Sequence, residues 1–382
     1  MRRRKRYLNI FALILLAVWM VACSSLSPPG VDQSAESLTP PAVETASLPP
    51  PQLRSEIVFP TARANVEVIP TLVLATETTS PTATAESSPT PDLYAGLSIE
   101  ELAGRNYGGG QLEIVDTLAV NSYFTRTLIT YPSDGLTIYG FMNVPKKGTP
   151  PYPVVIALHG YIDPGVYSTL DYTTHYADAL AREGFLVLHP NLRGYPPSDE
   201  GDNRFRVGMA VDVLNLIALV KALGGQPGPL ALADRDAIGL WGHSMGGGIA
   251  TRVLTVNPDV RAAILYGAMS GDDQKNYERI FSYFSNGQRG QEELNAPPEV
   301  FERVSPINYL ERVRAAVSIH HGEKDADVPL AWSLDLCRKL SKLELSLECF
   351  TYPDQAHTFH GDGDTLFIQR TIDFFNRWLR SR

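Results

Sequence analysis

From Pro153 to the C-terminus, short apolar runs alternate with longer segments that have a helical pattern of apolar residues. The runs predicted as strands are residues 154–158, 185–188, 237–241, 262–267, 315–320 and 347–352. The segments predicted as helices are residues 172–183, 207–223, 246–256, 330–340 and 366–379. Strands buried on both faces are continuously apolar, and strands that alternate with helices form parallel sheets. The sequence therefore predicts an α/β fold with a mostly parallel central sheet and helices on both faces.

Two further segments do not follow this alternation of strands and helices. Ahead of the alternation, Ser98 can cap a short helix over residues 98–104, and residues 124–131 and 136–144 are predicted as a β-hairpin. Residues 272–312 interrupt the alternation between two strands and carry several aromatic residues: Tyr277, Phe281, Tyr283 and Phe284. We expect a small lid-like insertion there, with a longer helical connection as the alternative.

The N-terminus has the pattern of an export signal. Residues 1–7 are basic, and residues 8–21 form an apolar run too short to span a membrane comfortably. The run ends at Ala22 and Cys23, which resembles the lipobox of bacterial lipoproteins. The resemblance implies cleavage after residue 22, a lipid on Cys23 and an extracytoplasmic, membrane-anchored protein. A plain secretory signal and an uncleaved anchor are the alternatives.

Composition divides the remaining chain and limits its ligands. Residues 23–92 are rich in Ser, Thr and Pro and are predicted to be a disordered tether, which leaves residues 93–382 as the folded domain. The formal net charge of -9 excludes a basic surface for nucleic acid. The sequence has no Cys/His cluster with zinc spacing, so we expect no metal and no organic cofactor. In an exported protein, Cys337 and Cys349 could form a disulfide, or they could be two buried thiols.

Residues 242–246 read Gly-His-Ser-Met-Gly and match the pattern G-x-S-x-G between a predicted strand and a predicted helix. The glycines allow a sharp turn without Cβ clashes. The turn lifts the Ser244 hydroxyl off the sheet and places it at a helix N-terminus, where the helix dipole favours negative charge. Ser244 is therefore the candidate nucleophile.

A serine hydroxyl needs a base that takes its proton, and the base needs a carboxylate that orients it. His357 follows the last predicted strand and is the candidate base, preferred over His360. Asp325 follows the preceding strand and is the candidate acid, with Asp327 and Glu323 as alternatives. The other histidines near strand ends are interpreted as structural residues or as residues that support the catalytic groups: His189, His320 and His321. His243, beside the candidate nucleophile, is interpreted as a packing residue.

The tetrahedral intermediate of acyl transfer needs N–H groups that point at its oxyanion. Met245, directly after the candidate nucleophile, supplies one backbone N–H. Tyr161, in the loop after residues 154–158, is expected to supply the second, with Gly160 as the alternative.

Seven short segments together resemble the prolyl oligopeptidase-type family and its dienelactone-hydrolase-like esterase relatives. They are Ser133-Asp134-Gly135, His159-Gly160, residues 191–195, residues 242–247, Ser305-Pro306, the Asp325 loop and His357. The resemblance covers about residue 123 to the C-terminus. It implies an α/β-hydrolase fold and a serine hydrolase that cleaves an ester or amide through an acyl-enzyme.

Three functions follow as hypotheses. Peptidases of this family usually carry a β-propeller before the catalytic domain, whereas residues 23–92 are a tether, so an esterase or acyl hydrolase on small substrates is favoured. We expect the four aromatic residues of segment 272–312 to form an apolar wall above the acyl pocket instead. A peptidase on short peptides is the alternative. A non-catalytic surface-binding lipoprotein that retains the fold is the third hypothesis. The oligomeric state is not indicated by the sequence.

Overall fold

The computed structural model describes residues 92–380. The strands are β1 Glu113–Val120, β2 Phe124–Ser133, β3 Leu136–Pro145, β4 Tyr152–Leu158, β5 Leu186–Pro190, β6 Ala233–His243, β7 Val260–Tyr266, β8 Ala316–Gly322 and β9 Leu347–Tyr352. The helices are α1 Ile99–Gly104, α2 Thr173–Arg182, α3 Val207–Leu223, α4 Met245–Val256, α5 Asp273–Arg279, α6 Gln291–Leu294, α7 Pro298–Val304, α8 Leu330–Leu340 and α9 Gly361–Leu379.

The strands form one mixed sheet in the order β1-β2-β3-β5-β4-β6-β7-β8-β9. The pairs β1–β2, β2–β3 and β3–β5 are antiparallel, and the remaining pairs are parallel. The predicted fold class is confirmed. The sheet order makes β4 and β6 neighbours, so the loops after these two strands meet at one edge of the sheet.

Alternate residues of the central strands face two separate cores. In β4, Val154, Ile156 and Leu158 pack with α3 and α4, whereas Val155 and Ala157 pack with α2 and α9. All five side chains are fully buried. Burial of each large aliphatic side chain stabilises the fold by about 1.5–3 kcal/mol. The two-sided burial explains why this strand is continuously apolar in the sequence.

The N-terminal part of the described chain differs in one strand from the prediction. The cap at Ser98 is present, because its hydroxyl accepts the N–H of Glu101 at 3.2 Å. Strand β1 was not predicted, since its side chains are almost all exposed and two register shifts break its alternation. An exposed, irregular edge strand lacks the period-two pattern on which strand prediction depends.

The stretch between β7 and β8 is a helical insertion that contains α5, α6 and α7. Its base is fixed by Arg252 of α4, which forms a buried ion pair with Asp273 and donates to Val304 O at 2.6 Å. The ion pair holds the start of the insertion to α4, and the hydrogen bond to Val304 holds the segment near its end. Loss of either partner of the buried pair would leave an uncompensated charge.

Three of the predictions fall on residues before 92, which the structure does not describe. The signal over residues 1–22, the lipid site Cys23 and the tether up to residue 91 lie outside the described residues. Within 92–380, no helix combines the length and apolarity that crossing a membrane requires. Cys337 of α8 and Cys349 of β9 are disulfide-bonded, with their Cα atoms 6.4 Å apart.

Candidate active site

Ser244 occupies the single-residue turn between β6 and α4, with φ 55° and ψ −115°. A positive φ is unfavourable for a non-glycine residue and persists only where the surroundings enforce it. Here the Ser244 N–H donates to Tyr266 O at 2.9 Å, and Ser244 O accepts the N–H of Met269 at 3.0 Å. The turn is therefore fixed to β7 and the loop after it, with the hydroxyl at the N-terminus of a 12-residue helix.

The glycines of the motif are required by close packing. A Cβ on Gly246 would lie 2.3 Å from Leu158 O, and a Cβ on Gly242 would lie 2.5 Å from Gly246 O. Neither gap admits a methyl group, since the carbonyl of Leu158 is fixed in β4 and that of Gly246 in the first turn of α4. The approach of the turn to the end of β4 brings Ser244 next to the loop that begins at His159.

The side chain of Asp325 holds the imidazole of His357. Its Oδ2 lies 2.7 Å from His357 Nδ1, and its Oδ1 accepts the N–H groups of Asp327 at 2.9 Å and Val328 at 2.8 Å. Burial of Asp325 would raise its pKa, but hydrogen bonds from His321 and His357 outweigh burial and hold the pKa below its usual range. The carboxylate therefore stays ionised and fixes the proton of His357 on Nδ1, which leaves Nε2 free to accept a proton.

The alternatives predicted from the sequence form other contacts. Asp327 also lines the cavity, with a carboxylate oxygen within 4.8 Å of an imidazole nitrogen of His357, but it forms no hydrogen bond to that ring. The carboxylate of Asp327 accepts the Tyr283 hydroxyl at 3.4 Å, and that of Glu323 accepts the Thr351 hydroxyl at 2.7 Å. His360 directly precedes α9 and is exposed. Among the weighed candidates, the structure joins Asp325 to His357.

Ser244, His357, Tyr161 and Met245 line one cavity of about 480 Å³. The Met245 N–H is at the first position of α4, where no intrahelical carbonyl can accept it. The N–H of Gly160 donates to a tyrosine hydroxyl at 2.6 Å, so this alternative oxyanion donor is already occupied. Tyr161 lines the cavity, and its N–H stays the predicted second donor.

Within residues 92–380, no hydrogen bond joins the Ser244 hydroxyl to His357, although both side chains line the same cavity. Catalytic hydrogen bonds are often long in unliganded enzymes and shorten when substrate binds. The arrangement supplies a nucleophile, a base held by a carboxylate and backbone donors, which is the set that acyl transfer requires.

The insertion forms one wall of the cavity, and fewer of its aromatic residues line this wall than expected. Tyr277 and Phe284 line the cavity, as the aromatic pattern predicted. The prediction was wrong for Phe281 and Tyr283. The Tyr283 ring is exposed and lies under the guanidinium of Arg279 at 3.7 Å, outside the cavity.

Charged residues complete the wall. Arg289 and Glu293 of the insertion line the cavity together with Arg206, which directly precedes α3. The Arg289 guanidinium donates to the Tyr161 hydroxyl and lies 4.6 Å from the centre of the Tyr161 ring. The insertion and the loop after β4 are therefore joined beside the active site.

Comparison with known proteins assigns the family. Residues 170–382, more than half of the chain, match the model of the prolyl oligopeptidase family. The chain belongs to this family. A protein of Yersinia pestis that is provisionally named a carboxymethylenebutenolidase is 24% identical over 249 residues, which cover 61% of this chain and 78% of that protein. The chain is a serine hydrolase of the esterase or peptidase type, which argues against a non-catalytic protein.

Two solved structures are similar to this hydrolase. The acylaminoacyl peptidase of Pyrococcus horikoshii has a TM-score of 0.56 and 24% identity, over 68% of this chain and 43% of the peptidase. An acetyl xylan esterase from Paenibacillus sp. R4 has a TM-score of 0.54 and 16% identity, over 74% of this chain and 92% of the esterase. At these identities the similarity shows the α/β-hydrolase fold alone. The chain spans less than half the length of the peptidase.

A hydrogen-bond chain that sequence reasoning missed connects the two loops of the hydrolase site. The Gly160 N–H donates to the Tyr172 hydroxyl, which lies 2.9 Å from His243 Nδ1. His243 Nε2 lies 2.9 Å from the carbonyl oxygen of His357. Because a carbonyl can only accept, Nε2 carries the proton of His243, so the Tyr172 hydroxyl donates to Nδ1.

Burial lowers the pKa of His243 to about 3, so its imidazole is neutral at ordinary pH. His321 also contacts the site, with Nε2 3.1 Å from Asp325 Oδ2 and Nδ1 2.7 Å from the Ser333 hydroxyl. The packing role predicted for His243 is therefore incomplete, because its ring also positions the His357 backbone. The contact of His321 with Asp325 agrees with the supporting role, one of the two roles considered for it. The adjacency of His243 to Ser244 and of His321 to the acid loop was the available sequence signal.

We expect Tyr172→Phe to lower kcat for an ester substrate with little change in KM, because the phenol links Gly160 to His243 and thereby to the His357 backbone. Two buried groups, an N–H and an imidazole nitrogen, would lose their partner, which costs about 1–3 kcal/mol of unfolding free energy. Steady-state kinetics and urea unfolding measure both effects. Tyr123→Phe is the matched control, since Tyr123 is exposed and its ring packs under Arg182. An unchanged kcat for Tyr172→Phe would contradict the positioning role.

Proposed function

We propose that this hydrolase cleaves esters of small acyl groups, with Ser244 as nucleophile, His357 as base and Asp325 as the group that orients the imidazole. The observation that carries the proposal is the cavity of about 480 Å³ beside Ser244, which is lined on one side by the joined side chains of Arg289 and Tyr161. Ligand pockets of about 300–1,000 Å³ enclose small molecules. A substrate bound here is limited in size by the insertion and the loop after β4.

In the proposed mechanism, Ser244 Oγ attacks the carbonyl carbon while His357 Nε2 takes the hydroxyl proton. The carbonyl oxygen becomes an oxyanion that accepts hydrogen bonds from the N–H groups of Tyr161 and Met245. The C–O bond to the leaving alcohol breaks as His357 returns the proton to that oxygen. Water then attacks the acyl-enzyme by the same steps in reverse and releases the acid.

A peptidase acting on short peptides is the second candidate, favoured by membership of the prolyl oligopeptidase family. Family membership alone does not separate the two activities, because one acyl-transfer mechanism serves both bonds. The same cavity would then have to admit residues on both sides of a peptide bond.

We expect p-nitrophenyl acetate to be hydrolysed with a kcat/KM well above that of aminoacyl naphthylamides. Selectivity over acyl length should be graded, since one methylene is worth about 1–3 kcal/mol in an apolar pocket. The measurement is a set of initial rates on the domain 93–382 with acyl chains of increasing length. Efficient cleavage of the naphthylamides, with about a hundredfold weaker ester turnover, would contradict the esterase and favour the peptidase activity.

We also propose that the hydrolase is exported and anchored to a bacterial membrane by lipid on Cys23. The basic and apolar segments before Ala22 support export, and the disulfide between Cys337 and Cys349 suits an oxidising compartment. Mass spectrometry of membrane-extracted protein should find a diacylglyceryl group on an N-terminal Cys23. A mature N-terminus elsewhere, or membrane partitioning of Cys23→Ala, would contradict lipidation at this residue.

A further inference from the structure

Arg206 is a half-buried arginine in the wall of the active-site cavity. Among residues 92–380 its guanidinium forms no hydrogen bond and no ion pair. Its carbon lies 5.8 Å from the centre of the Tyr277 ring, and its charge acts at longer range on the buried carboxylate of Asp273, which pairs with Arg252. The other two arginines of the wall have polar partners. Arg193 Nη2 lies 2.8 Å from the buried carboxylate of Asp212, and Arg289 binds the Tyr161 hydroxyl.

The backbone holds Arg206 in an uncommon conformation. Phe205 and Arg206 have φ values of 50° and 56°, so two successive non-glycine residues occupy the left-handed region. Such residues cost about 1–3 kcal/mol each and persist where the surroundings enforce them. The buried Phe205 ring and the hydrogen bond from Arg252 to Phe205 O at 3.0 Å fix this turn. The turn therefore keeps an unpaired guanidinium at the cavity in which Ser244 lies.

We propose that Arg206 binds a carboxylate of the substrate, so that the preferred esters carry one negative charge besides the scissile bond. This inference rests on the proposed ester hydrolysis. A guanidinium forms two parallel hydrogen bonds with a carboxylate, and these bonds are strong in a partly desolvated cavity. Glu200, Glu293 and Asp327 line the same cavity without pairing with Arg206, so a second anionic group on the substrate would be repelled.

The test compares each acid with its methyl ester, which keeps the length and removes the charge. Mono-4-nitrophenyl glutarate and its methyl ester place the charge on the acyl side, and 4-acetoxybenzoate and its methyl ester place it on the leaving-group side. Wild type should prefer the acid in at least one pair. Arg206→Gln should lower kcat/KM for that acid about 10- to 100-fold, as expected for loss of a hydrogen bond between charged groups. Hydrolysis of the methyl ester should change by less than about threefold.

Arg204→Gln is the matched control. Arg204 lies two residues away in the same turn, but its guanidinium pairs with Asp202 at 2.6 Å and donates to Leu93 O, and it does not line the active-site cavity. This variant should keep the preference for the acid. Equal losses on acid and methyl ester in Arg206→Gln, or an unchanged acid preference in that variant, would overturn the proposal.

A measurement on wild type alone covers the case in which Arg206→Gln does not fold. Free butyrate, which carries one carboxylate, should competitively inhibit hydrolysis of the neutral methyl ester, and inhibition should weaken as salt is added. Turnover of the methyl esters without acid preference and without butyrate inhibition would overturn the role of Arg206 and leave the esterase intact. Absence of turnover for all four esters, with Ser244 still labelled by a fluorophosphonate, would instead overturn the esterase.

Discussion

A fluorophosphonate probe is expected to label this hydrolase at Ser244, and Ser244→Ala is expected to lose both the label and nearly all turnover. The alanine has no oxygen that can form the acyl-enzyme, so the residual rate comes from the oxyanion donors and from binding alone. In hydrolases with such a triad, loss of the nucleophile lowers kcat by about 10⁴- to 10⁶-fold. In-gel fluorescence and burst kinetics with p-nitrophenyl acetate measure the two effects.

The control for this variant is Ser282→Ala. Ser282 is an exposed serine of the insertion, whose hydroxyl donates to Glu278 O at 2.6 Å, and its loss should leave labelling unchanged. Equal urea midpoints for Ser244→Ala and wild type would show that the loss is chemical. Undiminished labelling of Ser244→Ala would place the nucleophile elsewhere.

The elements predicted best from the sequence are those buried most completely. The predicted helix over residues 207–223 coincides with α3, in which most side chains are buried, and residues 347–352 coincide with β9. Continuous apolar runs bounded by turn residues leave little choice of register. Strand β1 and the first turn of α9 were missed because exposure removes the apolar pattern at both.

The contacts among catalytic and positioning residues could be predicted only in part. The pattern G-x-S-x-G and the chain order of the family located Ser244, Asp325 and His357 by local rules. The link through Tyr172 and His243 joins residues 71 and 114 positions apart, and no local spacing encodes it. Such contacts depend on which strands are neighbours in the sheet, so they require the tertiary structure.

The lining of the cavity could also be predicted only in part from the sequence. Four aromatic residues of the insertion predicted an apolar cover, but only Tyr277 and Phe284 line the cavity. The insertion bends through a short π-helical turn at Ile280–Phe284, and side chains in that turn do not follow the 3.6-residue period. The charged residues that replace the expected aromatics are the ones on which substrate choice is proposed to depend.

The second large effect is expected from substitution of Asp325, which has a neighbouring aspartate in the same loop. In the sequence, Asp325 is the candidate acid and Asp327 is an alternative in the same loop. In the structure, Asp325 accepts two backbone N–H groups of its own loop through Oδ1, which directs Oδ2 at His357. Hydrogen bonds hold the pKa of Asp325 below its usual value of about 3.9. Its ionised form therefore stabilises the fold above pH 4 or so, and this stabilisation is lost as the pH falls through the lowered folded-state pKa.

We expect Asp325→Asn to lower kcat about 10⁴-fold with a modest change in KM, as for loss of the orienting carboxylate in similar triads. An asparagine can turn its NH₂ group toward Nδ1 of His357, and the imidazole then carries its proton on Nε2 and cannot accept one from Ser244. Steady-state kinetics and fluorophosphonate labelling rates measure the loss. Glu323→Gln should behave like wild type, because Glu323 bonds only to Thr351 at the surface. Asp327→Asn should lose less than about tenfold, since its carboxylate does not hold the imidazole. If Asp327→Asn loses as much activity as Asp325→Asn, the two aspartates act as one unit and the assignment of a single orienting carboxylate is wrong.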